Sequence, residues 1–205
     1  MRFNSSYFYL AFFLILNIFN FVDRNLLIAF APQIKSEFNL TNVQWGLLTG
    51  VYFLFFYSVF GIFMGVIGDK FSRMKIAAAG VFLWSLMTAV TGIAKNFSHL
   101  IFARALIGVG ESALTPNAIS MLSDLFKQNQ RGTASAIYYL GIPLGVGFGM
   151  LIAAFFGPIF GWREVFIFLG LIGMGLGILT YFLFEPIRGQ LDINFDKTAK
   201  PNSIK

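Results

Sequence analysis

The chain has 205 residues, of which 57% are hydrophobic and only 12% are charged, and its mean hydropathy is +0.74. A soluble domain of this length has too little interior to bury so much apolar surface, whereas a lipid bilayer can accept it. The formal net charge is +6, but the basic residues lie mostly between apolar stretches, so membrane topology explains them better than nucleic-acid binding does. The absence of cysteine excludes disulfides, thiolate metal sites and thiol nucleophiles.

Six apolar stretches are long enough to cross about 30 Å of hydrocarbon as helices. The connections between them are short and contain helix-breaking residues. After Pro186 the chain becomes polar, so we predict a six-helix membrane domain over residues 1–188 and a disordered cytoplasmic tail over residues 189–205. In chain order, the predicted spans lie near Ser6–Phe30, Val43–Gly68, Met74–Ala94, Leu100–Leu125, Gly132–Phe156 and Val165–Phe184.

The charges of the connections predict how the chain is oriented. With the N-terminus inside, the inner side carries seven lysine and arginine residues before the tail, and the outer side carries three. Basic residues are concentrated in the cytoplasmic loops of membrane proteins. We therefore expect a multi-pass protein of the inner or plasma membrane with both termini in the cytoplasm.

Four charged residues interrupt the apolar spans: Asp23 and Arg24 in the first span, and Arg104 and Glu111 in the fourth. A charge at bilayer depth costs at least about 2.5 kcal/mol, so it usually lines a cavity or an ion path. Because the two spans run antiparallel, Asp23, Arg24 and Arg104 should share a level in the outer half, with Glu111 deeper, near the membrane centre. We expect these four residues to bind substrate or protons.

The pairing of these charges decides their roles, since buried charges persist when they are paired. Asp23 with Arg104 is the pair that the depths favour. Glu111 then has no obvious partner within the six spans, and we expect it to bind a proton near neutral pH. A purely structural network of these side chains is the alternative, and Arg24 stays ambiguous because it points about 100° away from Asp23 on the helix.

The fifth span combines small residues at a spacing of four with a helix breaker. Gly141, Gly145 and Gly149 share one helix face, and such faces let helix backbones approach closely. Pro143 removes one backbone hydrogen bond and can kink the helix. We predict that these four residues let the fifth span flex, with static packing as the alternative for the glycine face.

Two motifs resemble the major facilitator superfamily of transporters. The loop after the second span matches its pattern G-x-x-x-D-(R/K)-x-G-R-(R/K), although Ser72 stands where glycine is usual and Met74 where a basic residue is usual. The fourth span resembles the family's R-x-x-x-G-x-G signature at Arg104, Gly108 and Gly110. The loop residues that match are Gly65, Asp69, Lys70 and Arg73.

Within the superfamily, the chain resembles the spinster-like transporters most. The strings that carry this resemblance include Asn20-Phe-Val-Asp23-Arg24, Arg104-Ala-Leu-Ile-Gly-Val-Gly-Glu111 and Glu185-Pro186-Ile-Arg188-Gly189. The resemblance implies an all-α integral membrane fold, in which six transmembrane helices form the N-terminal half, a 3+3 inverted repeat, of a major facilitator fold. It also implies that the first and fourth helices line the central cavity and that the loop motif forms a cytoplasmic gate.

The function implied by the resemblance is secondary active transport by alternating access. Spinster relatives carry lysophospholipids or sphingosine phosphate, so the substrate would be an amphipathic or organic anion, such as a lysolipid-like molecule. Arg24 or Arg104 would attract this anion, Glu111 would carry the coupling proton, and Asp69 would control the gate. A sugar-acid or organic-anion:proton symporter of the same superfamily is the runner-up, and an inactive half-length membrane scaffold is a third possibility.

The sequence does not favour an enzyme, because it has no catalytic cluster, metal-ligand spacing or phosphate loop. We therefore predict no cofactor and no metal. The expected partners are the lipid bilayer, the small-molecule substrate, protons, and a second six-helix half or a second copy of the chain. That last partner is expected because a complete transporter of this fold has two such halves.

Overall fold

The computed structural model describes residues 3–191, and within this range the chain folds into helices with no strand. All six predicted spans are confirmed. The largest shift of an end is in the fifth span, which was predicted to stop at Phe156 and continues to Phe160. The observed spans are Ser6–Ala29, Asn42–Lys70, Arg73–Gly92, Phe97–Leu125, Arg131–Phe160 and Trp162–Phe182.

Several spans consist of more than one helical segment. The first helix, Phe3–Ala29, is followed by a short helix outside the spans, Ala31–Glu37. We call the end of the bundle where the first span begins the N-terminal face, and the other end the opposite face. The remaining helices are Asn42–Gly46, a π-helical turn at Leu47–Val51, Tyr52–Lys70, Arg73–Gly92, Phe97–Glu111, Leu114–Leu125, Arg131–Tyr139, Gly141–Phe160 and Trp162–Phe182.

Side-chain caps begin three of the spans, because the first amides of a helix have no partner within it. The Thr41 side chain accepts a hydrogen bond from the amide of Gln44, and the Gln44 side chain accepts one from the amide of Thr41. Asn96 caps the fourth span in a similar way. Ser72 caps the third span, which gives a local reason for serine where the family pattern has glycine.

Prolines account for the interruptions of the fourth and fifth spans. A proline inside a helix has no amide hydrogen and clashes with the carbonyl four residues earlier. The fourth span is interrupted at Ser112 and Ala113, just before Pro116, and the fifth is interrupted at Leu140, just before Pro143. The helix is therefore interrupted just before Pro143, where a kink is predicted.

Glycines hold the spans in close contact. A Cβ atom at Gly145 would lie 2.5 Å from the carbonyl oxygen of Ile18, and one at Gly141 would lie 2.7 Å from the Asn17 side chain. Gly149 meets the first span in the same way, so the predicted glycine face of the fifth span packs against the first span. The flexing predicted for this face and Pro143 stays a prediction. Corresponding glycines of the sixth span, Gly170, Gly173 and Gly177, pack against the third.

A polar layer separates two hydrophobic clusters within the bundle. The cluster nearer the N-terminal face takes its first-span residues up to Leu16, and the other cluster takes its first-span residues from Val22 onward. Buried polar side chains of three spans lie between them. They are Asn17, Asn20, Asp23, Thr88, Arg104 and Glu111.

The second and fifth spans are poorly covered by the rest of the described chain. Only 6% of the most apolar window of the second span and 17% of that of the fifth are buried, against 61% for the fourth. Large apolar side chains such as Ile62 on the second span and Phe155 on the fifth are consequently exposed. These two spans present the surfaces of the half that are open to lipid or to another helical body.

Close packing of the fifth span against the first predicts a sharp difference between two glycines. We expect Gly145→Ala to lower the free energy of unfolding by about 1–3 kcal/mol, because the new methyl group would overlap the first-span backbone. Gly147→Ala is the matched control, since no atom lies within 4 Å of its Cβ position. Thermal unfolding in lipid nanodiscs would measure both, and equal effects would contradict the packing.

Candidate functional site: a buried charge cluster

An ion pair joins the first and fourth spans at the centre of the bundle. Arg24 Nε donates to Glu111 Oε2 at 2.5 Å, and the Glu111 side chain is fully buried while that of Arg24 is 20% exposed. The prediction that Glu111 has no partner within the six spans is therefore wrong. The error came from comparing Cα depths, because the long arginine side chain reaches a carboxylate that lies at another level of the bundle.

The predicted ion pair of Asp23 with Arg104 is also wrong, since no N–O contact within 4.0 Å joins these two described residues. Asp23 instead accepts a hydrogen bond from the Thr88 hydroxyl of the third span. Asp23 and Arg104 nevertheless line the same small cavity, which leaves about 10 Å³ for the centre of a water-sized molecule. This is about the room that one water molecule needs.

Several buried polar atoms of the cluster have no hydrogen-bond partner within the described part of the chain. They include Glu111 Oε1, Arg104 Nε and the side-chain amide nitrogen of Asn20. An unsatisfied buried donor or acceptor costs about 1–3 kcal/mol, so water, a proton or a ligand that reaches these atoms would be favoured. They are candidate contact atoms beyond the ion pair.

The fourth-span signature has a packing explanation. A Cβ atom at Gly108 would lie 2.8 Å from the Phe53 carbonyl oxygen of the second span, and one at Gly110 would lie 2.8 Å from the Gly80 carbonyl oxygen of the third. Only glycine allows both neighbours to come so close. These two contacts bring the second and third spans against the helix that carries Arg104 and Glu111.

The predicted gate motif divides into a buried and an exposed part at the N-terminal face. Arg73 is buried and donates to Asp124 Oδ2 at 2.6 Å and to Glu185 Oε1 at 2.9 Å. Asp69 and Lys70 are exposed, and a Cβ atom at Gly65 would meet nothing within 4 Å. Among the four predicted gate residues, the structure therefore ties only Arg73 into a side-chain ion network.

The segment after the sixth span completes this network. Arg188 donates to the carbonyl oxygens of Gly68 at 2.8 Å and Phe71 at 2.6 Å, at the end of the second span. Positive charge is favourable at a helix C-terminus. The amide of Gly189 donates to Asp124 Oδ1 at 2.8 Å, so this residue of the predicted tail contacts the fourth span. Gln190 of the predicted tail also contacts the fourth span, since its Nε2 donates to the Asp124 carbonyl oxygen at 2.9 Å. The predicted tail residues 192–205 lie outside the described residues.

Burial and hydrogen bonding compete at Glu185. Partial burial raises its pKa, but hydrogen bonds from Ser72 and Arg73 outweigh that effect, and the pKa lies below its ordinary value of 4.5. The sequence pointed to Asp124 and Glu185 only through the family resemblance, in the strings Ser123-Asp124-Leu-Phe126 and Glu185-Pro186-Ile-Arg188-Gly189. No spacing rule indicated that both carboxylates meet Arg73, because they come from different helix ends.

A second polar contact ties three connections together at the opposite face. Arg163, at the start of the sixth span, donates to Glu37 Oε1 at 2.6 Å and to the carbonyl oxygens of Gly92 and Ala94 at 2.8 Å each. The hydrogen bond from Arg163 lowers the pKa of Glu37. This contact links the short helix after the first span to the end of the third span and the start of the sixth.

Six helices that are long and apolar enough to cross a bilayer, with charged side chains buried at their centre, define an integral membrane protein. Residues 13–203 match the sequence profile of the Major Facilitator Superfamily, and the chain belongs to this family of transporters.

Relatives of the chain include spinster proteins. It is 31% identical over 192 residues to Protein spinster of Drosophila melanogaster, with 92% of this chain and 32% of the relative covered. It is 31% identical over 180 residues to the sphingosine-1-phosphate transporter SPNS2 of Danio rerio, with 86% and 36% covered. A protein of Escherichia coli (strain K12) named "Probable L-galactonate transporter" is 28% identical over 168 residues, with 82% and 37% covered.

A solved structure shows the same fold. The crystal structure of a bacterial homologue of the human lysosomal transporter Spinster, in an inward-facing and occupied conformation, matches with a TM-score of 0.81 at 29% identity. The match covers 94% of this chain and 47% of that chain. The chain thus spans about half of the solved relative and about a third of the curated relatives above.

The Arg24–Glu111 pair predicts strong coupling in a double-mutant cycle. We expect Arg24→Met or Glu111→Gln alone to reduce the free energy of unfolding by about 3–5 kcal/mol, because each leaves a buried group unpaired. The double variant should lower the free energy of unfolding by much less than the sum of the two single variants. Thermal unfolding in nanodiscs would measure all three. Additive effects would contradict the ion pair.

The lowered pKa of Glu185 predicts a pH-dependent contribution to stability. A carboxylate with a lowered pKa stabilises the folded state above its ordinary pKa of 4.5, and this stabilisation disappears as the pH falls through the lowered value. We expect Glu185→Gln to lower the free energy of unfolding by about 1.5–3 kcal/mol at neutral pH, with little effect in acid. Asp69→Asn, an exposed acid on the same face, should change little at either pH.

Proposed function

We propose that the chain forms one half of a secondary active transporter that moves an amphipathic or organic anion by alternating access, with protons as the coupling ion. The observation that carries the proposal is the buried Arg24–Glu111 ion pair in a chain of a transporter family. The similarity to a sphingosine-1-phosphate transporter supports an amphipathic anion as the substrate.

The ion pair suggests how a proton and an anion are coupled. Glu111 and the anionic group of a substrate compete for the same guanidinium group, that of Arg24. A proton on Glu111 removes its negative charge and leaves Arg24 available to the substrate. Because such coupling is reciprocal, substrate binding at Arg24 favours protonation of Glu111, which supports transport of both in the same direction.

Asp23 and Arg104 supply a second charged contact on the same wall. They line a shared cavity without an ion pair between them, so either group is available to a water molecule, a proton or part of a ligand. A sugar acid is the second candidate substrate, supported by the similarity to the Escherichia coli protein named for L-galactonate. Its carboxylate would use the same arginines.

A second six-helix half, or a second copy of this chain, would complete the substrate path. The poorly covered second and fifth spans offer the surface for it. Asp69 is exposed and makes no ion pair with the described residues, so its carboxylate is available to a helix N-terminus of that partner. With the N-terminal face on the cytoplasmic side of the inner or plasma membrane, this contact would act as an inner gate.

Transport by proteoliposomes with an imposed pH gradient tests the proposal. The chain would be reconstituted alone and with a six-helix partner, with sphingosine 1-phosphate and L-galactonate as the two substrates. We expect an acidic exterior to stimulate uptake by the wild type, and Glu111→Gln to abolish this stimulation. Glu164→Gln, at an exposed acid of the sixth span, is the matched control. Unchanged proton dependence in Glu111→Gln would remove Glu111 from the coupling role.

A further inference from the structure

Two aromatic rings of the second span lie against the arginines of the charge cluster. The guanidinium carbon of Arg24 lies 4.8 Å from the ring centre of Phe53 and 4.6 Å from that of Tyr57. The guanidinium carbon of Arg104 lies 4.4 Å from the ring centre of Phe53. Phe53 therefore contacts both cations, although nothing in the sequence distinguishes it from the many other phenylalanines of the spans.

The two rings form a fixed platform. They are stacked, with ring centres 5.6 Å apart and planes inclined by 22°. Gly108 packs against the backbone of the two aromatic residues, since a Cβ atom there would lie 2.8 Å from the Phe53 carbonyl oxygen and 3.3 Å from the Tyr57 amide nitrogen. A cation over an aromatic face is attracted to it most strongly where water is excluded. Phe53 is buried, so this condition holds at its ring.

We propose that Phe53 and Tyr57 are positioning residues that hold the guanidinium groups of Arg24 and Arg104 when Glu111 no longer pairs with Arg24. Phe21 adds a third ring at 4.9 Å from the Arg24 guanidinium carbon. The rings attract the cation without neutralising it, so Arg24 keeps its place and its charge. The ligand that this arrangement suits is a phosphate or carboxylate group, and this part of the inference rests on the proposed function.

A spectroscopic test needs no ligand. The chain would be labelled with ¹⁵N-arginine in nanodiscs, and the Nε–H signals of Arg24 and Arg104 would be assigned with Arg→Lys variants. Because an aromatic face shields a proton above it, we expect Tyr57→Leu to move the Arg24 signal alone and Phe53→Leu to move both. Phe55→Leu is the matched control, since this exposed ring of the same span packs edge-on against Phe56. Unmoved signals in Phe53→Leu and Tyr57→Leu would overturn the inference.

A titration with hexyl phosphate separates this inference from the proposed function. In the wild type, hexyl phosphate should move the Arg24 signal, and Tyr57→Leu should need about tenfold more ligand for the same change. Tyr57→Phe, which keeps the ring, should titrate like the wild type. If Tyr57→Leu also titrates like the wild type, the positioning role is overturned. If hexyl phosphate does not move the wild-type signal while the ring variants still move the arginine signals, anion binding is contradicted and the positioning role of the rings is supported.

Discussion

The cost of burying charge is the constraint on which the rest of the bundle depends. Removing an ion from water costs several kcal/mol even after the protein relaxes, and attraction to a partner offsets this only with good geometry. Arg24 and Glu111 achieve that geometry between two spans that are far apart in the chain. The pair can exist only if the first and fourth spans lie close together, and Gly108 lets the second span pack against the fourth beside them.

The interruption of the fourth span lies directly after Glu111. Ser112 and Ala113 leave the helix there, and the side chain of Asn117 donates to the Ala113 carbonyl oxygen at 2.7 Å. The carbonyl that Pro116 leaves without its amide partner is that of Ser112, four residues earlier in the chain. The carboxylate that we place at the centre of transport is consequently carried by a helix end rather than by an unbroken helix.

Much of this architecture could be predicted from the sequence, because the lengths of the apolar stretches and the helix-breaking residues between them locate the spans directly. Asp23, Arg24, Arg104 and Glu111 can each be identified from the sequence, since their charge stands out in apolar surroundings, but the sequence places Glu111 at a deeper level than the other three. Their pairing could not be predicted, because the sequence gives only the depth of each Cα atom along its helix. Arg24 reaches Glu111 at a different depth through its long side chain. The aromatic platform of Phe53 and Tyr57 could not be predicted either, because aromatic residues do not stand out in an apolar span. Phe53 looks like any lipid-facing phenylalanine until its neighbours are known.

Gly161 has φ of +86° and is the whole connection between the fifth and sixth spans. With Arg163 fastening the next turn to Glu37 and to the end of the third span, the fifth span has a tether at one end and a proline break toward the other. A bend at this break would move the Arg131–Tyr139 segment relative to the tethered end of the span. That break lies level with Asn17, whose side chain donates to the Tyr138 carbonyl oxygen, so such a bend would act beside the polar layer of the bundle rather than at its N-terminal face.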